Sequence, residues 1–146
     1  MSQENVEIVR SMNEPFDGVD VAEIDWASEA IREILERVYS PDVELTTLES
    51  GIGSGPSRFY KGWDGLIAYL QEWFEPFSEY RIDARDYLDA GDRVLVPIRA
   101  RGVGSGSGVQ VQIEFTIAFQ LRDGKVTRVD QYDTVEQARE AVRDSG

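Results

Sequence analysis

The stretch that decides the fold is V-Q-V-Q-I-E-F-T-I-A-F-Q-L, residues 109–121. Val109, Val111, Ile113, Phe115, Ile117, Phe119 and Leu121 alternate with Gln110, Gln112, Glu114, Thr116, Ala118 and Gln120. A period of two puts the first set on one face of a strand and the second on the other, which predicts a long strand with one covered and one polar face. A slip of one residue would turn every apolar side chain to water, so the pattern also sets the register. G-S-G-S-G at residues 104–108 is a hairpin tip before this strand, and Asp123-Gly124 is a tight-turn signal after it. Residues 93–103 and 125–133 are then its antiparallel neighbours, with Asp89-Ala90-Gly91-Asp92 as a further turn and residues 80–84 as a shorter strand.

Toward the N-terminus the period changes. Leu66, Ile67, Leu70, Trp73 and Phe74 recur at helical spacing from about Trp63 to Pro76. Residues 58–60 and 43–48 read as short strands, with G-I-G-S-G-P at residues 51–56 as a turn between them. Ser28 is an N-cap for a helix carrying Ala30, Ile31, Ile34, Leu35 and Val38, which Ser40-Pro41-Asp42 breaks. A first helix over residues 5–13 stops before Pro15, and Thr134 caps a last one carrying Val135, Ala138 and Val142. Helices gathered early and strands late predict an α+β fold, with helices on one face of a curved sheet. With 146 residues, no repeat and no linker, residues 1–146 are expected to form one domain.

Composition excludes several functions. The net charge of −13 repels phosphate backbones and anionic lipid, which argues against nucleic-acid and membrane-surface partners. The absence of Cys and His removes disulfides, thiol nucleophiles, Cys/His zinc sites and Ser-His-Asp arrangements, so no metal and no cofactor is expected. Acid–base chemistry would fall to Asp, Glu, Tyr, Lys or Arg. The opening M-S-Q-E-N-V-E-I-V-R is acidic where a signal peptide needs a basic start, and no run approaches a membrane span, so a cytoplasmic location is expected.

Four strings together resemble the SnoaL-like family of the nuclear transport factor 2-like superfamily. These are S-P-D-V-E-L at residues 40–45, Y-K-G-W-D-G-L at 60–66, D-A-G-D-R-V-L-V at 89–96 and L-R-D-G-K-V-T-R-V at 121–129. The resemblance implies a cone-shaped fold, a curved mixed sheet bent around a cavity, with the N-terminal helices packed on its concave face and closing it. Between Phe16 and Pro41 the chain departs from the family pattern, with an insertion at about residues 17–28 that V-A-E-I-D-W-A-S-E, residues 21–29, marks as an added turn or short helix near the cavity lid. The superfamily includes isomerases, polyketide cyclases, epoxide hydrolases, a dehydratase and many binding or scaffold proteins, among which fold does not choose.

Position by position, the family's catalytic sets do not carry over. Where the steroid isomerases have a Tyr and an Asp, this chain has Met12 and Leu45. The Arg–Asp pair of the epoxide hydrolases falls on Arg99 and Arg101, and their last-strand Asp on Gln131. The cyclases' Asp also falls on Gln131, or on Asp130 if the strand slips by one residue. Asp130 is therefore the weak catalytic candidate, with Tyr132 beside it, and Arg99 with Arg101 read as a pair on the solvated face balanced by Glu114. Candidate ligand-binding residues are Leu45, Tyr60, Trp63, Trp73, Phe115, Phe119 and Gln131.

The expected function is binding of a small hydrophobic molecule in an apolar cavity. Its alternatives are a cyclase- or isomerase-like enzyme with a carboxylate acid/base, and a dimeric scaffold with no ligand. A single-layer sheet leaves one face open, which predicts a homodimer with Gln112 and Glu114 near the contact.

Overall fold

The computed structural model describes residues 2–47 and 58–144. α1 (Ser2–Asn13) leads through single 3-10 turns at Glu14–Phe16 and Val21–Glu23 into α2 (Glu29–Val38). β1 (Tyr39–Thr46), β2 (Phe59–Lys61) and α3 (Gly62–Phe74) follow. The remainder is β3 (Phe77–Ala84), β4 (Leu88–Ala90), β5 (Arg93–Gly104), β6 (Gln110–Arg122), β7 (Lys125–Tyr132) and α4 (Val135–Asp144).

The strands form one curved sheet in the order β2-β1-β7-β6-β5-β3, with β4 continuing the β3 side of β5. β1 runs parallel to β7 and every other pairing is antiparallel, so the sheet is mixed. Val94, Val96, Ile98 and Ala100 on β5 and Phe115, Phe119 and Leu121 on β6 face a common core with α1, α2 and α3. On the opposite face, Leu95 and Ala118 pack against Ala138 of α4 in a second, smaller cluster.

Local chemistry accounts for the element ends. Ser28 Oγ accepts the Ile31 N–H at 3.3 Å and caps α2, and Thr134 Oγ1 accepts the Gln137 N–H at 3.1 Å at the start of α4. Asp123 and Gly124 take φ of 53° and 81°, the two positive values a type I′ hairpin turn requires. α3 opens at Gly62 with φ 76°, a conformation that a side chain would strain.

The structure departs from three expectations. The helix ends before Ser40-Pro41-Asp42 as expected, but β1 starts at Tyr39 rather than Val43, so Pro41 lies within the strand, in a stretch where the β1–β7 register shifts, the kind of site that tolerates a missing N–H. The 51–56 turn and Leu48 lie outside the described residues. Val109 does not share the covered face: it is 58% exposed, just before β6 begins. The polar face of β6 is exposed at Gln112 and Glu114, as expected, but α4 covers its other half, so Thr116 and Ala118 are buried.

Candidate functional site

The inner face of the sheet does not meet the helices flush, and a cavity of about 170 Å3 remains between them. The sheet contributes Leu45, Ile98, Phe115, Phe119, Val129 and Gln131 to its wall. α3 contributes Leu66, Tyr69, Leu70 and Trp73, which lie at i, i+3, i+4 and i+7 on one helical stripe. Phe16, Val21 and Trp26 close it from the segment between α1 and α2. Trp26 stacks on Phe74 with ring centroids 5.5 Å apart, and its Nε1–H donates to the Val21 carbonyl at 3.1 Å.

The segment at residues 17–28 has a structural role. β3 is an edge strand, whose outward N–H and C=O groups need partners. The strap from Asp17 to Asp20 supplies them. Asp20 Oδ1 accepts the Tyr80 N–H at 3.0 Å, the Gly18 N–H donates to the Ile82 carbonyl at 3.1 Å, and Asp17 Oδ1 accepts the Ala84 N–H at 3.3 Å. Arg81 Nη1 also donates to the Gly18 carbonyl at 2.7 Å. Edge pairing and lid are therefore the same piece of chain.

Few polar groups enter the cavity. Gln131, 6% exposed, donates from Nε2 to the Tyr69 hydroxyl oxygen. Tyr80, 0% exposed, accepts the Trp73 Nε1–H at its hydroxyl oxygen at 3.1 Å. Burial pushes the Tyr80 phenol up to about 12. Burial also raises the Tyr69 phenol, opposed by the Gln131 bond and reinforced by the neighbouring Tyr80, Tyr60 and Tyr39. Both phenols stay protonated at neutral pH and remain O–H donors. Asn13 Nδ2, in the wall near α1, is a buried donor with no partner among the described residues. Asp17 is the one carboxylate in the wall among the described residues.

The structure separates Gln131 from Asp130 for a reason the sequence concealed. Gln120 pairs with Arg128 but Leu121 pairs with Val126, so Thr127 is an extra residue in β7. Without that bulge, Val126 and Asp130 would share a face. With it, Val126, Val129 and Gln131 are buried, and Asp130 receives Arg128 Nε at 2.8 Å on the other face.

Of the other expected residues, Leu45, Trp73, Phe115 and Phe119 stand in the cavity wall. Tyr60 and Trp63 stand outside it. The Tyr60 hydroxyl donates to Glu72 Oε2 at 2.7 Å, and Trp63 Nε1–H donates to the Tyr39 carbonyl at 3.0 Å, tying α3 to β1. Arg99 reaches Glu114 Oε1 at 3.1 Å on the exposed sheet face, as a surface pair. Sequence reading missed Tyr69, Tyr80, Asn13, Asp17 and Trp26. Tyr69 was accessible from the α3 stripe, whereas the strap residues carry no periodic signal. No group of three or more potential metal ligands occurs among the described residues, and no described helix is long and apolar enough to cross a membrane.

A curved mixed sheet closed by helices is the architecture of the nuclear transport factor 2-like class, and solved structures of that class match over most of this chain. The SnoaL-like domain model matches residues 12–129, and the chain belongs to that family. A candidate SnoaL-like polyketide cyclase from Jannaschia sp. CCS1 aligns at a TM-score of 0.68 and 20% identity, covering 96% of this chain and 92% of that one. TerC, co-crystallised with polyporic acid, aligns at 0.66 and 21%, covering 96% and 98%. A protein with a ketosteroid isomerase-like fold from Catenulispora acidiphila DSM 44928, in complex with trimethylamine, aligns at 0.63 and 13%, covering 88% and 86%. These likenesses concern the fold. No curated protein matches the chain.

Proposed function

We propose that this protein binds one small hydrophobic molecule in the cavity between the sheet and α1–α3. The observation that carries this reading is an apolar cavity of about 170 Å3 with the amide of Gln131, not the carboxylate of Asp130, in its wall. An amide cannot take up a proton at neutral pH, so that position favours binding over acid–base chemistry. The volume is close to that of an engineered apolar cavity of about 150 Å3 that holds benzene, and below the roughly 300–1,000 Å3 of drug-sized sites. It suits a one-ring molecule better than a fused polycyclic one. Leu45, Trp73, Phe115 and Phe119 supply its apolar contact, and Gln131 with Tyr69 a polar end. The relatives bound to polyporic acid and to trimethylamine support small-molecule binding in this fold.

The test is calorimetric titration with toluene and with phenol. Binding should carry a negative heat-capacity change. Asp130→Asn should bind as the parent does, while Gln131→Leu should weaken the phenol complex by ~1–3 kcal/mol by leaving Tyr69 without its partner. Absence of binding by either probe would overturn the reading.

A second reading is favoured by Asp17, whose carboxylate lies in the wall. If the protein is a cyclase- or isomerase-like enzyme, Asp17 is the acid/base, and Asp17→Asn should slow turnover of an enolisable substrate by ~10²–10⁴-fold. We also propose a cytoplasmic homodimer paired through the exposed sheet face of Gln112 and Glu114, away from α4. A mass of 16.5 kDa by light scattering at high micromolar concentration would contradict the pairing.

A further inference from the structure

Resting on the binding reading, the polar atoms of the cavity point to the chemical class of its ligand. Tyr80 is fully buried, its ring packed between Phe74 and Phe77 at centroid distances of 5.1 and 4.8 Å. Its hydroxyl oxygen receives a hydrogen bond from Trp73 Nε1 at 3.1 Å. An indole N–H can only donate, so the direction of this bond is fixed by chemistry and the phenol proton must point elsewhere. No acceptor takes that proton in the hydrogen bonds among the described residues. The rings against Tyr80 are Trp73, Phe74 and Phe77, and Phe115 and Ile98 line the same cavity.

A second donor is in the same condition. Asn13 Nδ2 is buried in the wall without a partner among the described residues. Tyr69, one helical turn before Trp73 and with ring centroids 5.8 Å apart, also receives a bond at its oxygen, from Gln131. A buried donor left unmade is costly, and neither the Tyr80 nor the Asn13 donor meets an acceptor among the described residues. The remedy has to arrive with the ligand.

We propose that the ligand is a small one-ring carbonyl compound, a ketone or an aldehyde, whose oxygen accepts the Tyr80 O–H that Trp73 orients. Its ring lies against Trp73 and Phe115, themselves 6.4 Å apart by centroid. A carbonyl oxygen accepts and never donates, which matches a site supplied with donors. A hydrocarbon of the same shape fills the cavity but leaves the Tyr80 proton unbonded.

The experiment compares acetophenone with α-methylstyrene, in which a methylene group replaces the carbonyl oxygen. Calorimetric titration should give a dissociation constant about tenfold or more lower for acetophenone, the factor expected from one buried hydrogen bond. Tyr80→Phe keeps the ring and removes the donor, so the ratio of the two dissociation constants, compared within the variant, should shrink toward one. In the unsubstituted protein, the carbonyl stretch of bound acetophenone should lie at lower frequency than in hexane, a measurement that needs no variant to fold. If both probes bind equally and the stretch stays at its hexane position, the carbonyl inference is overturned and the apolar cavity stands. If α-methylstyrene binds more tightly, the same conclusion follows. If neither binds, the binding reading fails and this inference fails with it.

Discussion

Replacing Asp20 by Ala should be among the most damaging single changes to the strap that closes the cavity. One carboxylate oxygen of Asp20 accepts the Tyr80 N–H at 3.0 Å and the Ala22 N–H at 3.2 Å. The second contact caps the turn Val21–Glu23, and loss of such a cap costs about 0.5–2 kcal/mol. The first leaves an amide of a fully buried residue without its partner, at about 1–3 kcal/mol. Together they amount to roughly 1.5–5 kcal/mol, a large share of the about 5–15 kcal/mol that stabilises a typical protein. Urea unfolding measures it: at a slope of about 2 kcal/mol per molar, the midpoint should fall by ~0.7–2.5 M with the slope unchanged. Asp20→Asn keeps an acceptor oxygen in place and should lose under ~1 kcal/mol. A loss below ~0.5 kcal/mol for Asp20→Ala, or equal losses for Ala and Asn, would refute the assignment of Asp20 as the clasp between strap and β3.

Alkaline pH should unfold the protein early. The buried phenols stay protonated in the fold, Tyr80 up to about 12, while the unfolded chain ionises near pH 10. The folded state then holds more protons above pH 10, so stability is intact below that pH and falls above it, by up to ~1.4 kcal/mol per pH unit for Tyr80. Absorbance at 295 nm against pH should show ionisation coinciding with unfolding by circular dichroism. Trp26→Ala should cost ~3–5 kcal/mol in thermal or urea unfolding, since it removes the ring that stacks on Phe74 and bridges to Phe16. Glu114→Ala should change stability by under ~1 kcal/mol in the same assay, because its pairs with Arg99 and Arg85 are exposed at the surface.

The elements were legible where one periodicity dominates a long run. The β6 alternation placed Phe115 and Phe119 inward and Gln112 and Glu114 outward, and Ser28 marked the start of α2 where the structure has it. Legibility failed where a side chain's role depends on a distant partner. Asp17 and Asp20 look like ordinary surface acids in a chain of net charge −13, and only their position against the β3 edge makes them clasps. Trp63 has the same composition signal as Trp73, yet one ties α3 to β1 and the other lines the cavity. Gln131 faces inward through a bulge at Thr127, which no residue type in K-V-T-R-V announces. Alternation counted from Val129 reaches the observed facing of Gln131, whereas alternation counted from Val126 without a break would turn Asp130 inward, and the bulge is what lets Val126 and Gln131 share a face.

The most direct test of a ligand-holding cavity is nuclear magnetic resonance of methyl-labelled protein titrated with toluene. The account predicts shift changes at Leu45, Ile98 and Val129, whose methyl groups stand in the wall, and none at Leu95 or Ala138 under α4. No change at the wall methyls under saturating toluene, or changes concentrated at Leu95 and Ala138, would contradict it.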